Sequence, residues 1–214
     1  MFRELAQQMG QQTVRAVFPE DIDNCINLAI INKVKSILTS NVGVNFSDKT
    51  AKQNTNISPV NALRTLYSHS DVANIQGNGV EIDPYRVVIN NNKVMVYTQF
   101  YVGYKGSDKL YSCRLIDNDR LIQTLHDFCS RASKTAPIVV MFADNVDTIV
   151  NVYTGKNKTK PNLLRYGYIK QPDKVVYSDT ESERVDCNLP EYLHEEIVKD
   201  AIGIYLTSMG AISK

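Results

Sequence analysis

The sequence predicts an α+β fold. A helical scaffold is formed by N- and C-terminal helices, and an antiparallel β-rich, sandwich-like region is inserted between them. Three observations carry this. Apolar residues recur at helical spacing from residue 22 to 38, and again from 193 to 205. Between these stretches the pattern changes to short runs with β-branched and aromatic residues, punctuated by Gly, Asn and Asp. The expected division is 1–73 (N-terminal arm and helices), 74–180 (β-rich insert) and 181–214 (a C-terminal helix packing back on the N-terminal helices), one compact domain with an insert.

Residues 1–17 suit a short amphipathic helix through Phe2, Leu5 and Met9, or an arm that orders only against a partner. The first firm helix starts at Phe18-Pro19-Glu20-Asp21, with Pro19 at the first turn and Phe18 as a hydrophobic staple. Its stripe is Ile22, Ile26, Ile30, Val34, Ile37 and Leu38. Residues 40–57 are polar and aperiodic and read as a long loop. Ser58-Pro59 then opens a third helix carrying Val60, Leu63, Leu66 and Tyr67. Two strands follow, 85–89 and 93–102, joined as a hairpin through Asn90-Asn91-Asn92, whose residues tolerate positive φ. The second strand has large side chains on both faces: Val94, Val96, Phe100 and Val102 on one, Met95, Tyr97 and Tyr101 on the other. It reads as a covered central strand.

Further on, Tyr111, Cys113 and Leu115 alternate with Ser112, Arg114 and Ile116. Asp117-Asn118-Asp119 caps a helix through Leu121, Ile122, Leu125, Phe128 and Cys129. Residues 137–142 and 146–153 are strands turned at Asp144-Asn145, and Leu163 to Lys170 is another, ended by Gln171-Pro172. Val175-Val176-Tyr177 suggests a short strand, and 179–186 a charged linker. The closing helix begins at Pro190, with Glu191, Glu195 and Glu196 at the positive end of its dipole. Glu195 and Lys199 form an i,i+4 pair, and Gly210 sits where a C-cap is easiest. Leu193, Ile197, Val198, Ala201, Ile202, Ile204 and Tyr205 share its apolar face. Burying them contributes on the order of 10 kcal/mol before conformational entropy is subtracted. The terminal helices meet across the insert, so contact order is high and slow folding is expected.

The chain has 214 residues, 43% hydrophobic and 22% charged, with a net charge of +1. These values suit a globular protein and give no overall electrostatic footprint for nucleic acid. No apolar run approaches the ~18 residues of a membrane-spanning helix, and residues 1–10 lack a signal-peptide core. Four spaced cysteines (Cys25, Cys113, Cys129 and Cys187) then read as reduced thiols. Asn45, Asn56 and Asn157 match a glycosylation acceptor pattern by chance.

The histidines are His69, His126 and His194. His126 and Cys129 are i,i+3, and Cys187 precedes His194 by seven, but zinc needs three or four converging ligands. His194 reads as a packed, hydrogen-bonded core residue. Asp117/Asp119 and Asp144/Asp147 are paired carboxylates that lack the calcium-loop pattern, and capping and turn formation account for them. No GxSxG nucleophile motif occurs, and Gly77-x-Gly79 does not continue as a phosphate loop. Lys156, Lys158 and Lys160 form a basic run that suits a solvated loop, or a tip touching phosphates or an acidic surface. Of 12 tyrosines, many lie in the insert, as core residues or interface anchors. No catalytic, cofactor-binding or metal-ligating residue is assigned.

Two stretches carry a family resemblance. One is Tyr166-Gly167-Tyr168-Ile169-Lys170-Gln171-Pro172-Asp173-Lys174-Val175, a strand ending in a Y-I-K-x-P turn. The other is Cys187-Asn188-Leu189-Pro190-Glu191-Tyr192-Leu193-His194-Glu195-Glu196-Ile197-Val198. With the early helix containing Asn27-Leu28-Ala29, this layout resembles the head–tail connector or neck ring proteins of tailed bacteriophages, most of all those of crAss-like phages. The resemblance implies a virion structural protein without enzymatic activity, assembled in the host bacterial cytoplasm. It implies a closed ring of identical subunits, dodecameric in form, against the portal and adjacent ring or tail proteins. Genomic DNA would be only a transient passenger in the channel, and no membrane is involved. Two other readings come from the residues: a small metal-dependent hydrolase or nuclease using the Asp pairs, and an adaptor binding a phage or host protein through the insert.

Overall fold

The structure, a computed structural model, describes residues 18–42, 62–90, 93–144, 147–178 and 182–208. The expected N-terminal arm, most of the 40–57 loop, the start of the third helix and the Gly210 cap lie outside these residues. The fold is α+β, and the chain divides into two compact units. A helical unit takes residues 1–66 and 172–214, and a β unit takes 67–171.

In the helical unit, α1 (Pro19–Val42) starts with Pro19 and the acidic Glu20 and Asp21. The Phe18 carbonyl accepts from the Asp21 and Ile22 amides at 3.1 and 3.2 Å. Phe18 itself is 67% exposed, so it does not act as the expected staple. The helix also runs through residues 40–42, which the sequence assigned to the loop. Ala29, Ile30, Val34 and Leu38 are buried. Ile22, Ile26 and Ile37 are half-buried. The closing segment begins as a tight turn, Glu191–Leu193, with Pro190 as its N-cap, and continues as α3 (His194–Ser208). Leu193, Ile197, Ala201, Ile202, Tyr205 and Leu206 are buried, and α3 packs on α1. Lys33 Nζ lies 2.8 Å from Glu196 Oε2 across this pair, and Lys199 Nζ 2.7 Å from Glu195 Oε1 along α3. Asn27 of α1 binds both polar backbone atoms of Val175. Its Nδ2 donates to the carbonyl at 2.9 Å, and its Oδ1 accepts from the amide at 2.8 Å. Residues 175–177 form no strand; Val176 and Val185 make one isolated bridge.

Among the described residues the β unit holds eight strands: β1 (Tyr67–Val72), β2 (Tyr85–Asn90), β3 (Val94–Gly103), β4 (Leu110–Ser112), β5 (Arg114–Leu115), β6 (Ile138–Asp144), β7 (Asp147–Tyr153) and β8 (Leu163–Lys170). They make two four-stranded sheets, ordered β1-β8-β3-β4 and β2-β7-β6-β5. All pairings are antiparallel except the parallel β5–β6. Side chains from both sheets fill one core: Tyr85, Val87 and Ile89 (β2), Val139 (β6), Val150 and Val152 (β7) against Phe100 and Val102 (β3), Leu164 and Tyr166 (β8). This is a sandwich. The other face of the second sheet carries Ile138, Val140 and Tyr153, which pack with Leu121 of α2 (Asn118–His126).

Several local expectations give way to this topology. Residues 85–90 and 94–103 do not form a hairpin, because β2 and β3 belong to different sheets. Turn chemistry favours a local hairpin, but burying the apolar face of β2 against β3 requires the two strands to oppose each other across the core. The face assignment of β3 also fails beyond its middle. Register shifts between Val94 and Val96 and between Tyr97 and Gln99 let Tyr97 pack with the core, its ring centroid 5.8 Å from Phe100. A bulge re-aims side chains in this way. β3 is nevertheless central, between β8 and β4.

The run around Cys113 is two strands in two sheets. The Cys113 amide donates to Phe100 O at 2.8 Å and the Arg114 amide to Pro137 O at 2.9 Å. Of the expected third helix only its end is described: Ala62 is helical, a tight turn, Arg64–Leu66, follows, and Tyr67 belongs to β1 rather than to the helix. α2 stops at His126, leaving Phe128 78% exposed beyond it.

Candidate functional site

The residues with chemical potential do not converge. His126, at the end of α2, places Nε2 3.2 Å from Glu81 Oε1, while Cys129 is exposed in the following turn. His194 is half-buried, and its Nε2 lies 2.9 Å from the Leu189 carbonyl. A carbonyl only accepts, so that nitrogen carries the hydrogen and is not a free ligand. Cys187 is half-buried and its thiol is pushed up by burial; Cys25 and Cys113 shift the same way, for the same first reason. An activated thiol needs the opposite shift. Asp117 is the N-cap residue of α2 with extended backbone, yet its carboxylate makes no capping bond. Asp119 is exposed in the first turn. Asp144 and Asp147 are the last cross-strand pair of the β6–β7 ladder. Among the described residues no group of three or more His, Cys, Asp and Glu is placed to hold a metal ion. Among them, too, no helix is long and apolar enough to cross a membrane.

The two motif stretches have structural duties. Leu189, Leu193 and Ile197 are core residues of the helical unit, and Ile169 and Pro172 are buried at the end of β8. What these stretches leave outside is more informative. Along the segment from residue 172 into α3, Val176 is 40%, Tyr177 62%, Val185 38% and Tyr192 62% exposed. Val176 and Val185 are adjacent through their bridge, and the Tyr177 amide is held by the Asp23 carboxylate of α1 at 3.1 Å. On α1, Leu28 is 47% exposed. Tyrosine with aliphatic neighbours at the surface is the composition of an interface core. This candidate surface was not legible in the sequence, where Tyr177 and Tyr192 carry no pattern that separates them from the buried Tyr205.

In the β unit, Gly79 lines a cavity in which Lys156 and Lys158 also stand. On the outer face of the first sheet, Arg165 donates through Nε and Nη2 to the two oxygens of Asp71, at 2.6 and 2.7 Å. This pair holds the Asp71 carboxyl below the usual carboxylate range, chiefly through the hydrogen bond.

No family model matches the chain, and no curated protein matches it.

Proposed function

We propose that the chain is a virion structural protein, without enzymatic activity, that forms a closed homo-oligomeric ring in the portal–tail assembly of a tailed phage, around the DNA channel. The observation that carries this reading is the exposure of Val176, Tyr177 and Val185, between the two connector-like stretches, and of Tyr192 within the second. A closed ring needs a heterologous side-to-side contact, so each subunit must offer apolar surface to a neighbour. Its occupant is a second copy of this chain. The near-neutral net charge of +1 suits a conduit, because a strongly basic lining would retain passing DNA.

The test is quantitative mass spectrometry of gradient-purified particles, scaling this protein against the portal subunit. A copy number equal to the portal's, or a small multiple of it, supports the ring. Substoichiometric copies favour an adaptor. Absence from particles discards the structural reading and moves a metal-dependent enzyme forward. Tyr192→Ser, at an exposed position, should leave the melting temperature unchanged while lowering incorporation.

A further inference from the structure

The geometry points to a second site, and we propose that the β unit binds a small phosphate-bearing molecule in a cavity beside the β7–β8 loop. The cavity has a volume of about 220 Å³ and lies among the 79–81 turn, Leu125 of α2, Arg131-Ala132, and residues 153–158. That is below the ~300 Å³ at which pockets for drug-sized ligands begin, so the occupant is a phosphate with a small substituent rather than a whole nucleotide.

Its walls supply the recognition. Arg131, Lys156 and Lys158 line it, against a single carboxylate, Glu81, which faces His126. A guanidinium with two ammonium groups is the chemistry that binds phosphate through charge-assisted hydrogen bonds. Thr154 lies in the wall at 1% exposure, its hydroxyl enclosed behind the surface of the cavity.

The walls are also built to hold their shape. Gly155 has φ +86°, and a Cβ there would sit 2.3 Å from the Ala132 carbonyl oxygen. Gly79, φ +70°, lies so close to the Tyr85 ring that a Cβ would fall 2.4 Å from Cε2. The hydroxyl of the same Tyr85 donates to the Lys158 carbonyl. Three segments are thereby tied together at one place. Arg131 is fixed by the turn before it: the Asp127 carboxylate accepts the Cys129 and Ser130 amides at 3.3 and 3.1 Å, and the Arg131 amide donates to Asp127 O at 3.0 Å. The guanidinium carbon stands 4.9 Å from the centroid of the Phe128 ring. A guanidinium held in place before a ligand arrives loses less freedom on binding it.

The test uses the full chain and inorganic phosphate, against chloride at matched ionic strength, followed by amide chemical-shift titration and melting temperature. Phosphate should raise the melting temperature above the chloride control and shift the amides of 79–81, 131–132 and 154–158. The double variant Arg131→Gln/Lys156→Gln should weaken binding about tenfold or more, since two charge-assisted contacts are lost. Glu81→Gln should tighten it, which a purely structural role for these residues does not predict. No response to phosphate beyond chloride, or no change in affinity from Glu81→Gln, overturns the proposal. Protection by a short single-stranded oligonucleotide with no response to phosphate overturns it in favour of a nucleic-acid surface.

Discussion

In the helical unit, Ile30 and Val34 of α1 and Ile197, Ala201 and Ile202 of α3 are buried on helices more than 150 residues apart in sequence. In the β unit, the buried Val87, Val102, Val150 and Leu164 come from four strands within one continuous stretch, and each sheet also has edge strands that share the load. The first unit therefore rests on one pair of long apolar stripes closed by the end of the chain. The second distributes burial over two sheets and, on its other side, α2. Loss of one contact surface should unravel the helical unit as a whole, while the β unit should lose edges before its centre.

The sharpest way to break this comparison is a matched pair of core truncations. Ile202→Ala and Leu164→Ala each remove a fully buried aliphatic side chain and should cost about 2–5 kcal/mol by chemical denaturation. Hydrogen exchange should then quicken throughout α1 and α3 for Ile202→Ala, and chiefly in β3 and β8 for Leu164→Ala. Equal acceleration everywhere by both variants would mean that the units open as one, and the contrast would be lost. A smaller effect comes from Asn27→Leu. It leaves the amide and carbonyl of Val175 without their side-chain partner, and should cost about 1–3 kcal/mol with faster exchange at the Val175 amide. No change would mean that the segment after β8 is held by its apolar contacts alone.

The smallest effect is electrostatic and belongs to the β unit. Asp71 and Arg165 are each more than a third exposed, so solvent screening keeps the contribution of the pair small. The folded Asp71 pKa is depressed, so its contribution is present above the ordinary value of ~3.9 and is lost as pH falls through the folded value. Asp71→Asn should lower stability slightly at pH 7 and flatten the acid limb of a stability–pH curve. A variant that unfolds with the same acid limb would assign that limb to other carboxylates.

The helices were legible where their signals are local. Pro19 and the acidic first turn start α1, and the stripe through Ile30, Val34 and Leu38 names its buried face. The β6–β7 hairpin was legible for the same reason, as two apolar runs around Asp144-Asn145. β1 was not, because its core-side residues are Ser68, Ser70 and Val72, which show too little apolar alternation to mark a strand. The basic run at Lys156 and Lys158 was visible, but Arg131 and Thr154, which share its cavity, were not. Nothing in sequence spacing brings residue 131 to residue 155 except the contact of Gly155 with the Ala132 carbonyl.

By itself the sequence determined the fold class, the two long helices and the positions of most strands, because periodicity, caps and turn residues act within a few residues of one another. Tertiary structure decided which strands pair, which tyrosines stay at the surface and which charges share a cavity. The strand after Asn92 could not be assigned to its sheet from its own residues. It lies beside β8, some seventy residues later, because only that arrangement buries Phe100 and Val102 against β2 and β7.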